Sequence, residues 1–364
     1  MPADRSEALP TARRPHRLAG GQPGLLEPGA STDPYRLRLY RILRTDFPLG
    51  YDPGLGAWLL SRYADVALAL TDPRFTGYPR DGAPRGPVPA PLGLCRGSLV
   101  CTPLPGSGTD RVPGGTPATA TATATATAVE RTASAVERAA YVLARRIAGR
   151  DQADLVGEFC RWLPAGLSSA EPNAPVRTGG ETADCARHTG LRERALASFL
   201  ANMLDDPDLL AAVAGGAGPG AGPGTGPGPG AEAGTGMLLG RAWTETLRRD
   251  PPVQIVLRRT RTEVRVSGGT LPAGAPVACL IGAAGRDPAR FAAPDRFDPL
   301  RADADPLLTG PAGCPAALLG RLEAEHGLRA LLTAMPGIRW ADGFRPASSG
   351  VLTRGPRTLL VRPS

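Results

Sequence analysis

The sequence predicts a mainly α-helical fold with small β-sheets, and three observations carry that expectation. Between Val129 and Ile147 the residues Val129, Ala133, Val136, Ala140, Leu143 and Ile147 recur at alternating four- and three-residue steps, which aligns them on one side of a helix. Helical runs return downstream, in "LRERALASFLANMLDDPDLLAAV" and again after Cys314. Strand-like text comes only in short pieces, "GYDPGLGAWLL" near the start and "VRVSGGTLPAGAPVACL" later.

Taken in order, residues 1–30 are polar, lack the apolar centre of a signal peptide and are expected to form a flexible arm. "STDPYRLRLYRILRTDFP" reads as a short helix with Pro34 in its first turn. A strand, a turn at Asp52-Pro53-Gly54, a second strand through Trp58 and Leu60, and a helix from Arg62 to Leu70 follow. Pro79 to Pro117 is Pro/Gly-rich and irregular, and 116–128 is low-complexity Ala-Thr alternation. Thr127 and Glu130 are spaced as a capping box that would start the long helix, and "ADLVGEFCRWLPAGL" gives another helical piece. The next helix breaks at Asp206-Pro207. Residues 214–236 hold too much Gly and Pro to bury apolar surface, so they are expected to be a flexible linker inside one domain spanning 31–364.

With 364 residues, 42% of them hydrophobic, the chain can build a sizeable core. Its formal charge of +8 comes from arginine alone, since it has no Lys, and together with the excess of Ala, Gly and Pro this is the mark of a GC-rich gene. No dense Arg cluster interleaved with aromatics occurs, which argues against nucleic-acid binding. No stretch is long and apolar enough for a membrane span, so a soluble cytoplasmic protein is expected. Cys95, Cys101, Cys160, Cys185, Cys279 and Cys314 form no CxxC pairs, and His16, His188 and His326 have no metal-ligand spacing. Neither a metal site nor a disulfide framework is predicted.

Specific motifs gather after Met237. Glu245-x-x-Arg248 in "WTETLRRDPPVQ" is followed by "AAGRDP", by "PDRF" with Arg296, and by Cys314 seven residues ahead of "RLE". This ordered series resembles the cytochrome P450 family, and "DPY" and "RYADVALALTDPRF" resemble its bacterial openings. The resemblance covers about residues 31–76, 129–167 and 237–364, and it implies a truncated, degenerate P450-like fold. It also implies a buried ion-pair triad of Glu245, Arg248 and Arg296, with Cys314 at the haem-ligand position.

The loop before Cys314 departs from the family pattern FGxGxHxCxG. Leu307 replaces the Phe, Leu308 the first Gly, Ala312 the His and Ala316 the last Gly, leaving Gly310 and Cys314. A side chain where a backbone needs close approach or positive φ costs about 1–2 kcal/mol. Ala312 cannot donate to a propionate, and "GSGTDRVPGG" offers Asp110 where the family supplies donors, with Arg111 beside it. "TGGETAD" places Glu181 and Thr182 as a match for the family's proton-delivery pair.

Among P450 relatives the sequence is most similar to the short, haem-less activator proteins of antibiotic deoxysugar glycosyltransferases. That resemblance implies a non-catalytic auxiliary protein with no cofactor that binds and stabilises a glycosyltransferase acting on a polyketide. Residues 31–76, with Arg among apolar residues, are the first place to look for the contact surface. The alternative is a haem-thiolate monooxygenase with Cys314 as axial ligand and Glu181 and Thr182 as proton relay.

Overall fold

The computed structural model describes residues 22, 24–26, 35–77, 118–164, 189–215, 229–304, 306–307 and 315–363. The chain opens on helix α1 (Tyr35–Thr45), strands β1 (Leu49–Asp52) and β2 (Ala57–Leu60), and helix α2 (Tyr63–Thr71). Asp52 shapes the β1–β2 turn, accepting hydrogen bonds from the Gly54 and Leu55 amides at 2.8 and 2.9 Å. Its other oxygen takes the Leu25 amide at 2.9 Å, and Leu25 is fully buried. Part of the arm predicted to be flexible is therefore pinned to the first hairpin, because an apolar residue there finds a covered site.

Strand β3 (Phe75–Gly77) precedes the long helix α3 (Ala118–Ile147). The low-complexity Ala-Thr alternation is helical from Ala118 on, which alanine's high helix propensity favours. Thr127 and Glu130 lie inside a running helix and do not cap it. Strand β4 (Ala153–Asp154) and a π-helical turn (Val156–Cys160) lead toward α4 (Thr189–Leu204). The predicted break at Asp206-Pro207 is present: α5 (Pro207–Ala214) starts at the proline, and the Asp206 carboxylate caps it by accepting from the Leu209 amide at 3.0 Å. Helix α6 (Pro229–Arg249) begins within the segment expected to be a linker. Thr235 is fully buried, so 229–236 belong to the fold.

The C-terminal part supplies β5 (Ile255–Thr260), β6 (Val264–Val266), β7 (Gly269–Leu271), β8 (Pro276–Leu280) and the short helix α7 (Ile281–Ala284). Helix α8 (Pro315–Ala334) and the short strands β9 (Arg339–Trp340), β10 (Ser348–Ser349), β11 (Gly355–Pro356) and β12 (Leu360–Arg362) complete it. The β6–β7 hairpin turns at Gly268, whose φ of 84° suits a residue without a side chain. The main sheet runs β1-β2-β8-β5-β3, with β2 and β8 parallel and the other pairs antiparallel.

Alternation divides that sheet into two faces. Leu60, Val256, Val277 and Cys279 join one core cluster, and Leu59, Ile255, Ala278 and Leu280 join another beneath α1. A third, helical core forms where α3, α4, α5, α6 and α8 meet, around Ala140, Phe159, Phe199, Trp243 and Leu328. The architecture is thus mainly helical with small sheets, as the periodicities require. No helix among the described residues is long and apolar enough to cross a membrane.

Candidate functional site

Helix α6 ends where the two kinds of layer join. Its last turns place Glu245 and Arg248 three residues apart on one side, and both side chains are fully buried. Arg248 grips the carboxylate with two bonds, Nε to Oε2 at 2.7 Å and Nη2 to Oε1 at 2.8 Å. Its Nη1 donates to the carbonyls of Gly285 and Pro294, at 2.5 and 2.9 Å, and the guanidinium lies 5.1 Å from the centre of the Phe291 ring. All five Arg248 N–H groups and both Glu245 oxygens have hydrogen-bond partners, which offsets the cost of burying the pair.

The second guanidinium on Glu245 is not the one expected. Arg296 is exposed and contributes its carbonyl oxygen, which accepts from Arg248 Nη2 at 3.3 Å. Arg301 fills the third position of the triad: its Nε donates to Glu245 Oε1 at 3.0 Å, and its Nη1 reaches Ala292 O and Asp303 Oδ1, both at 3.1 Å. The Asp298 amide adds a further bond to Oε1 at 3.1 Å. The reason for the correction is geometric. The turn through Pro294 and Arg296 is aimed with its carbonyls inward, which sends the Arg296 side chain outward, and the chain needs five more residues to return a side chain to Glu245.

A second ionic layer adjoins the first. Asp250 accepts from Arg249 Nε and Arg286 Nη2, each at 2.7 Å, and Arg286 also bonds Asp295 at 2.8 Å. Burial opposes charge on Asp250, but Arg249 and Arg286 outweigh it and hold its carboxyl well below the usual range. Together the two layers fasten α6 to α7 and to the segment 291–303.

One buried cation has no carboxylate partner among the described residues. Arg258 sits on β5 on the same face as Val256, beside Cys279. Among the described residues its side chain makes one long hydrogen bond, from Nη1 to Leu257 O at 3.4 Å, and no carboxylate pairs with it. Burial pushes its pKa below the usual arginine value and pushes the Cys279 thiol up to about 12, against the pull of Arg258. Sequence reasoning passed over both Arg301 and Arg258. For Arg258 a signal exists in the strand parity, since Val256, Arg258 and Thr260 share a face. Replacing Arg258 by Met should leave stability unchanged or raise it by about 1–2 kcal/mol in a urea melt, because an uncompensated buried charge is removed.

The other candidate residues stand as follows. Cys314, with Leu308, Gly310 and Ala312, lies outside the described residues, as do Glu181, Thr182, Asp110 and Arg111. Leu307, just before the loop, packs against the sheet core that contains Val256 and Cys279. Cys160 and Cys279 are buried free thiols, as expected of core cysteines. No group of His, Cys, Asp and Glu among the described residues is arranged to hold a metal ion.

Comparison with known proteins agrees with this geometry. Residues 237–304, which contain the whole Glu245–Arg248–Arg301 network, match the sequence model of the family described as Cytochrome P450. Protein DesVIII of Streptomyces venezuelae is 47% identical over 132 residues, 35% of this chain and 32% of its own length. Protein TylM3 of Streptomyces fradiae is 39% identical over 137 residues, 35% of this chain and 32% of its own. The chain thus spans about a third of the length of these curated relatives. Among solved structures, one described as an unusual cytochrome P450-like monooxygenase of microbial secondary metabolism superimposes with a TM-score of 0.66 at 20% identity, covering 92% of this chain and all of that one (100%). The chain has the cytochrome P450 fold, and its residues 237–304 match the sequence model of that family.

Proposed function

We propose that this chain is a non-catalytic P450-like auxiliary protein that binds and stabilises a deoxysugar glycosyltransferase in the cytoplasm, in the assembly of a polyketide antibiotic, and that it does so without haem. One contrast carries the reading. The Glu245–Arg248–Arg301 network that the fold needs is complete, whereas the loop pattern that only a haem needs keeps just Gly310 and Cys314. A porphyrin with two propionates calls for several donors and a backbone that passes close to its face. Arg258 fits one acid group, but Ala312 donates nothing and Leu308 occupies a glycine position. As a set these residues do not fit haem. The likeness to DesVIII and TylM3, neither named for a reaction, supports the same reading.

The physical basis of such help is linkage. A protein that binds only the active conformer of its partner raises that conformer's population by RT ln(1 + [L]/Kd), about 2.7 kcal/mol at a hundredfold excess over Kd. No chemistry on the helper is required.

The second reading is a haem-thiolate monooxygenase with Cys314 on the iron and Glu181 and Thr182 as relay, favoured by Arg258 and by the P450-like monooxygenase structure. An absorption spectrum separates the two. The purified chain, supplied with haem during expression, should show no Soret band and no shift under carbon monoxide after reduction. A shifted Soret band at stoichiometric intensity would establish the monooxygenase reading instead.

A further inference from the structure

Helix α3 turns one stripe to the helical core and presents the opposite stripe to solvent. Val136, Ala140, Ala144 and Ile147 are buried, and the helix packs lengthwise on α8. Arg138, Tyr141, Val142 and Arg145, at successive i, i+3, i+4 and i+7 positions, form the outward stripe with Arg146 at its edge. Tyr141 is 45% and Val142 50% exposed, and the Arg145 guanidinium stands 5.9 Å from the centre of the Tyr141 ring. None of Arg138, Arg145 and Arg146 pairs with a carboxylate among the described residues, while the neighbouring Glu137 acts on His326 of α8.

This arrangement has the anatomy of a protein interface: an apolar centre containing an aromatic ring, rimmed by arginines. A phosphate backbone would use the cations and leave the apolar centre unsatisfied, whereas an acidic protein surface uses both. The α1 region is a poorer fit than its sequence suggested. Arg36 is fully buried and Arg44 donates to Ala283 O at 2.7 Å, which leaves Arg38 and Arg41 as the exposed cations of that helix.

We infer that the outward face of α3 around Tyr141 and Val142 docks on an acidic surface of the partner glycosyltransferase. This rests on the auxiliary reading given above. The test titrates the full chain against the deoxysugar glycosyltransferase encoded nearest to it, by calorimetry, as wild type, as Tyr141→Ala with Val142→Ala, and as Arg138→Glu with Arg145→Glu. Each pair should weaken binding by about 30-fold or more, and wild-type affinity should fall with added salt. Hydroxyl-radical labelling of Tyr141 in the wild-type complex should drop several-fold, a readout that no folding defect in a variant can disturb.

Unchanged affinity in both pairs, or undiminished labelling of Tyr141, overturns the inference and leaves the auxiliary reading standing. A wild-type chain that does not bind the transferase overturns both. Self-association abolished by the same substitutions would assign the face to a second copy of this chain and also overturn it.

Discussion

Arg301→Ala is expected to destabilise the protein by about 3–5 kcal/mol, whereas Arg296→Ala should change stability by no more than about 0.5 kcal/mol. The two arginines lie five residues apart, and sequence motifs single out the wrong one. Removing the Arg301 side chain strips Glu245 Oε1 of a 3.0 Å bond in a place water does not reach, and leaves Asp303 without its partner. The buried carboxylate then keeps only Arg248 and the Asp298 amide to offset its desolvation. Removing the exposed Arg296 side chain leaves its carbonyl, the only group it gives to Arg248, where it was. Urea denaturation of the two variants side by side reads the difference. Equal losses would show that the second guanidinium of the triad is misassigned.

Stability should also fall as pH rises from about 4.5 to about 7, by up to about 3 kcal/mol from a single group, Glu323. Glu323 projects from α8 into the contact with α4, where Arg192 Nη1 meets its Oε1 at 2.8 Å and the Arg192 Nη2 is engaged by Pro164 O. Its other oxygen, Oε2, is buried with no hydrogen-bond partner among the described residues. Burial pushes the Glu323 carboxyl up to about 7, against the pull of Arg192. Between the unfolded and folded values the native state holds the extra proton, so raising pH takes stability away, and below that window the group is neutral in both states. Glu323→Gln keeps the contact with Arg192 and cannot titrate. Its stability profile should therefore lack this slope, read as Tm against pH in parallel with the wild type. Parallel profiles would show that Glu323 is ionised throughout.

What the sequence made legible follows from how local each signal is. The α3 stripe, the β1–β2 hairpin and the stop at Asp206-Pro207 are written within a few turns of chain, and the structure has them. The Ala-Thr run reads only as low complexity and residues 229–236 as part of a flexible linker, because both are poor in large apolar residues, yet both are helical. In the second, burial of Thr235 and Leu239 between helices supplies what local composition lacks. The network on Glu245 was half legible: an i,i+3 pair is local, while the choice between Arg296 and Arg301 depends on how the segment 291–303 is aimed, which only tertiary packing decides. Arg258 was missed for a related reason. It sits beside Arg259 in the text, and only the pleat sends one of them inward.

The most direct measurement of the central claim is the rate of glycosyl transfer by the partner transferase with the Cys314→Ala protein added in place of wild type. If the chain acts by binding, a folded Cys314→Ala protein should raise the rate as much as wild type does, since the thiol reaches no substrate and holds no iron in this account. Loss of that stimulation in a variant with unchanged Tm and unchanged affinity for the transferase would contradict it.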